Sequence, residues 1–145
     1  MSQNQNDNES ALIGGVGSRR EARDRALALL YESEIKALEV EDLLAELPID
    51  AEPYAELLVR GVSEHRADLD ELIVEFAKPG WSISRMPRLD VAALRLGLYE
   101  LVHRTDVPTS AVLSEWVELA STYSTDDSGR FVNGLLASAA EQIRG

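Results

Sequence analysis

Near the carboxyl end, the stretch DDSGRFVNGLL, Asp126 to Leu136, brings together a cation, an aromatic ring and an amide: Arg130, Phe131 and Asn133. Recognition of single-stranded RNA uses these side-chain types, because a cation meets the backbone phosphate, a ring stacks on a splayed base and an amide reads a base edge. Val132, Leu135, Leu136, Ala139 and Ile143 recur at helical spacing. At about 100° per residue, Phe131 falls roughly a quarter-turn from the centre of that stripe. Two roles for the ring therefore compete: a contact closing its own helix start against the core, or a platform for a base. A second group of cations lies near the other end, in SRREARDR, where Arg19, Arg20, Arg23 and Arg25 face only Glu21 and Asp24. Ion pairs along a solvated helix account for such a cluster as well as contacts to phosphate do. Tyr31, further along the same segment, is open to the same choice between core and ligand.

Helices must hold both groups. Ser18 followed by Glu21 is a capping box and predicts a first helix from Ser18 to Ala37 or Leu38. Ala22, Ala26, Leu29, Leu30, Ser33 and Ala37 mark one face, and Leu27, Tyr31, Ile35 and Leu38 a second, so the helix is expected to be buried on two sides with only its first turns wet. VEDLLAEL ahead of Pro48 is a short second helix. AEPYAELLVRGVSEH and RADLDELIVEFAK make two helices or one bent one. KPGWSISRMPRLD breaks the pattern, with Pro79-Gly80 as a turn and Pro87 as a stop, and divides the folded part into subdomains 18–78 and 79–145. LDVAALRLGLYELVHR is a central apolar helix. TSAVLSEWVELASTY is a sixth, with Val112, Trp116, Leu119 and Tyr123 inward, and the last runs from about Gly129 to Arg144. A groove results if the starts of the first and last helices adjoin, and the free amides at a helix start attract phosphate. With no period-two alternation and no solenoid repeat, the expected fold is all-α, one compact bundle of about seven helices, behind a disordered, acidic and glycine-rich tail over residues 1–17.

Composition narrows the function. A chain of 145 residues that is 45% hydrophobic holds one domain with a real core. The lack of cysteine excludes disulfides, thiolate zinc sites and thiol catalysis, and it fits a reducing, cytoplasmic setting. No apolar run approaches the roughly 20 residues of a membrane span, and the amino terminus lacks the pattern of a secretory leader. His65 and His103 fall on different predicted helices without metal-ligand spacing, and His103 reads as a partner for a helix C-terminus. IGGVGSRR follows no strand and precedes no Lys-Ser/Thr, so it is a weak phosphate loop. Asp126 and Asp127 have no partner histidine and read as residues favoured before a helix start. Trp116, Tyr54 and Tyr99 read as core. No catalytic constellation and no cofactor or metal site is expected. A net charge of −12 opposes nucleic acid at long range, but the arginine cluster and residues 85–104 are positive islands within it.

The arginine-rich start followed by ALALLYE, then LDVAALRLGLYEL, HRTDVPTSAVLSEWVELA and STDDSGRFVNGLL, resembles the NusB family of transcription antitermination factors in order and spacing, from Ser18 to the end of the chain. The resemblance implies an all-helical protein of two subdomains that binds the boxA element of nascent ribosomal RNA leaders together with NusE, within an antitermination complex of RNA polymerase and other Nus factors. Carried over by motif, the RNA-binding residues would be Arg19, Arg20, Arg23, Arg25, Tyr31, Asp127, Arg130, Phe131 and Asn133. A NusE-facing surface on the central helix would comprise Asp90, Arg95, Tyr99 and Glu100. Glu21 and Asp24 interrupt the arginine cluster, which makes NusE a partner needed to assemble a usable site. The related module that precedes a methyltransferase in some rRNA cytosine methyltransferases is disfavoured, since no nucleotide-binding αβ domain follows before Gly145. A helical interaction module with weak or lost RNA binding is the alternative of a different class. A homodimer that masks the arginine end is open on this sequence, and nothing in the chain selects it.

Overall fold

The computed structural model describes residues 16–145, with side chains from Arg19 onward. Among them are seven α-helices and no strand: α1 Val16–Lys36, α2 Val40–Glu46, α3 Pro53–Glu64, α4 Arg66–Phe76, α5 Arg88–His103, α6 Thr109–Tyr123 and α7 Asp126–Arg144, with a 3-10 turn at Ile83–Arg85 before α5. This is the all-α fold the periodicity predicts. The tail expected over residues 1–17 lies outside the described residues, except for its last two, which open α1. The chain divides within α3, after Arg60, into two compact units.

In the first unit, α1 buries Ala22, Ala26 and Leu29 of its first face but only Leu27 of its second. Tyr31 is 39% exposed and Ile35 56%, so α1 is covered on one side and wet on the other. Its carboxyl end turns on Ala37, which adopts a left-handed φ of 54°. The Leu38 N–H then donates to the Ser33 carbonyl at 3.0 Å, closing the helix as glycine caps commonly do. Pro48 follows α2, and Pro53 opens α3, where its missing N–H leaves no bond unmade. α3 and α4 are two helices, separated at His65.

The second unit is built around α5, which packs on α4, α6 and α7. Every residue from Asp90 to Leu101 is buried, which is why this segment reads as apolar all round. On α6, Val112, Trp116 and Ala120 face inward, whereas Tyr123, expected inward, is the helix's last residue and is 54% exposed. α7 starts three residues earlier than expected, because the Thr125 hydroxyl accepts from the Ser128 N–H at 3.0 Å and sets the cap there. Asp126 and Asp127 therefore belong to its first turn. At the far end of α7, the Arg144 guanidinium donates to the carbonyls of Glu100, Leu101 and Arg104 at 3.1 Å and to that of Val107 at 2.6 Å. One side chain thereby gathers carbonyls from the last turn of α5 and the turn after it, where those of Glu100 and Arg104 also accept backbone N–H groups.

Candidate RNA interface

The early start of α7 moves Arg130, Phe131 and Asn133 into its second turn, so the expected first-turn phosphate site is not theirs. The first amides of the helix belong to Asp126 and Asp127, whose own carboxylates meet the positive end of the dipole. Arg130 pairs with Asp127 one turn back, and their side chains are 74% and 86% exposed. An exposed pair of this kind contributes about 0–1 kcal/mol, so a phosphate can displace the carboxylate at little cost. Asn133 is exposed and Phe131 half-buried. The Phe131 ring does not enter the core: it stacks on Trp81, with centroids 5.4 Å apart and planes inclined by 25°. The pair borders a groove of about 540 Å³ whose lining includes Phe76, Lys78, Arg130 and Gly134. Trp81 and Lys78 escaped the sequence reading. Their signal was an aromatic and a cation on either side of Pro79-Gly80, in a segment that looked like a mere break.

In the first unit, Arg20 and Arg25 are exposed and Arg19 is half-buried, its guanidinium carbon 4.8 Å from the centre of the Tyr54 ring. Arg23 corrects the expectation of a wet cluster. It is only 3% exposed and lies 5.9 Å from the same ring, so it helps hold α1 to α3 and presents little surface to a ligand. Arg20 and Tyr31 are eleven residues apart, which places them within about 20° of one line along α1, roughly 16 Å from each other. Tyr31 is thus a surface aromatic on the arginine-bearing helix.

The four positions carried over as a NusE-facing surface are interior. Arg95 holds Asp70 of α4 in a two-pronged ion pair, Nε to Oδ1 at 2.8 Å and Nη2 to Oδ2 at 3.1 Å. Glu100, fully buried, accepts the indole N–H of Trp116 at 2.7 Å. Tyr99 lies against Gly61 and the rings of His65 and His103. Burial pushes the Asp90 carboxyl above its usual range, a hydrogen bond with Ser128 opposes that shift, and one carboxylate oxygen meets no donor. Asp90, Arg95 and Glu100 are spaced by five, so each is turned by about 140° from the last and no single face can carry all three. On a helix surrounded by others, such residues pair inward, and here they position α4, α6 and α7.

His65 and His103, which sequence spacing kept apart, are stacked with ring centres 4.1 Å apart. Burial, then the neighbouring His65, lowers the pKa of His103. Among the described residues, no group of three or more His, Asp or Glu is arranged to hold a metal ion.

The model of the NusB family matches residues 20–141. The chain is 46% identical over 132 residues to the transcription antitermination protein NusB of Saccharopolyspora erythraea, covering 86% of this chain and 88% of that one. It is 41% identical over 142 residues to the protein of the same name from Symbiobacterium thermophilum, covering 88% and 92%. Among solved structures it is similar to NusB of T. maritima, with a TM-score of 0.78 and 32% identity over 86% of this chain and 91% of that one. It is also similar to a chain in the crystal structure of antitermination factors NusB and NusE in complex with double-stranded RNA, with a TM-score of 0.73 and 27% identity over 86% and 96%.

Proposed function

The chain belongs to the NusB family, and from that premise we propose that it is a transcription antitermination factor that binds the boxA element of nascent ribosomal RNA together with NusE. The observation that carries this reading is the α7 patch. A half-buried aromatic, an exposed amide and an exposed guanidinium stand together on one rigid helix, in a protein whose charge would otherwise repel RNA. Arg19, Arg20, Arg25 and Tyr31 of α1 supply further phosphate and base contacts, with Arg23 holding that helix in place, and Asp127 exchanges its hold on Arg130 as RNA arrives. NusE docks on surface residues other than the four interior positions of α5. Coupling between NusE and RNA, typically about 1–3 kcal/mol, offsets the long-range repulsion. The protein acts by binding and not by catalysis, in the cytoplasm, as part of an assembly with RNA polymerase and the other Nus factors; among the described residues no helix is long and apolar enough to cross a membrane.

Titration of fluorescent boxA-containing single-stranded RNA, with and without purified NusE and against a scrambled RNA at fixed salt, tests the proposal. Sharper binding to boxA than to the scramble in the presence of NusE is expected. Equal binding to the two RNAs would favour the second reading, to which the chain's acidity also points: a helical interaction module without sequence-specific RNA binding.

A further inference from the structure

Resting on that reading, we propose that Trp81 is a base-stacking residue. In this arrangement, Trp81 and Phe131 form a continuous platform for one splayed base of single-stranded RNA, and Lys78 and Arg130 hold the phosphates on either side of it. The platform is built by the turn that separates α4 from the 3-10 turn. Pro79 and Gly80 occupy its two central positions, Gly80 has a φ of 90°, and the Trp81 N–H donates to the Lys78 carbonyl at 3.0 Å. Proline then glycine at positive φ under such a bond is the pattern of a type II turn, which brings the first and fourth residues within about 7 Å. Lys78 and Trp81 are thus held close together before any ligand arrives.

Phe131 covers part of the indole, yet Trp81 remains 48% exposed. An indole stacked on one ring and half in water presents a free aromatic surface beside that ring, the arrangement expected of a stacking platform without its base. The groove beside it carries Lys78 and Arg130 and no carboxylate among its lining residues, in a chain of net charge −12. Once Asp127 releases Arg130, this local reversal of charge fits a phosphate-bearing ligand. Gly134, on the same groove, leaves the space open: an added Cβ there would meet nothing within 4 Å. A longer side chain at this position would occupy the room a base needs.

The two tryptophans make the test direct, since Trp116 is fully buried and Trp81 is exposed. Affinity for boxA-containing single-stranded RNA is measured by anisotropy, with NusE present, for the full chain and for Trp81→Ala, Trp81→Phe, Gly134→Leu and Phe131→Ala, alongside the melting temperature of each. Trp81→Ala is expected to weaken binding about 5- to 150-fold, the range for loss of one stacked base. Trp81→Phe should recover most of that loss. Gly134→Leu should weaken binding comparably while melting no lower than the parent, since leucine favours the helix interior more than glycine does. Wild-type affinity in both Trp81→Ala and Gly134→Leu, with Phe131→Ala still impaired, would overturn the platform and leave the antitermination reading intact. A parent protein that does not distinguish boxA from scrambled RNA would overturn both.

Discussion

Phe131 and Asp90 show how differently two residues of this chain use partial and full burial. Phe131 keeps a ring at the surface, and Phe131→Ala should cost RNA binding about 1–3 kcal/mol while barely moving the melting temperature, because the ring supports little of the core. Anisotropy and thermal melting on the same samples check this. Asp90 holds a carboxylate where burial raises its pKa. The folded state therefore binds a proton at pH values where the unfolded chain has released it, so this group's contribution to stability is present at low pH and is lost as pH rises through the raised pKa. Asp90→Asn should be more stable than the parent at pH 7, with an advantage that shrinks on acidification; denaturant melts at pH 7 and pH 4.5 measure it, and an advantage that grew on acidification would contradict the sign. Spacing put Phe131 off the apolar stripe of α7 but left open whether its ring closes the helix start or faces a ligand, and only the resemblance to the NusB family chose between the two. The interior role of Asp90, Arg95 and Glu100 was not legible, because charge type says nothing of whether a neighbouring helix brings a partner such as Asp70 or Trp116.

At the scale of elements, the helices themselves were written in the apolar periodicity, but their ends were decided by contacts that periodicity does not carry. Thr125 moved the start of α7, and Ala37 ended α1 in a conformation usually left to glycine. Arg144 is the strongest such contact. It binds carbonyls of Glu100, Leu101, Arg104 and Val107, so the penultimate residue of the chain caps the central helix. Arg144→Ala should lower stability by about 1.5–3 kcal/mol, the range for hydrogen bonds made by a charged group. Arg144→Lys should restore only part of it, since an ammonium lacks the planar fork. Equilibrium unfolding in urea would show this, and an unchanged midpoint in Arg144→Ala would mean that water caps these carbonyls equally well.

For the whole molecule, the balance is between an acidic chain and a few exposed cations that the proposed function assigns to phosphate. Binding by exposed arginines should weaken steeply with salt, and Arg20→Ala should reduce the slope of log affinity against log salt by about 0.7, the value for one phosphate contact on a single strand. Phe131→Ala should lower affinity at every salt concentration without changing that slope. Net charge alone pointed away from nucleic acid, and only its distribution along the chain pointed back. The sequence could not show that Trp81 stacks on Phe131, or that His65 meets His103, because each pair joins segments far apart in the chain. The most direct measurement of the central claim is photo-crosslinking of 4-thiouridine-substituted boxA RNA to the complex with NusE, with adducts mapped by mass spectrometry. Adducts on the peptide that contains Arg130, Phe131 and Asn133 are expected; RNA that crosslinks only elsewhere, or to NusE alone, would contradict the account.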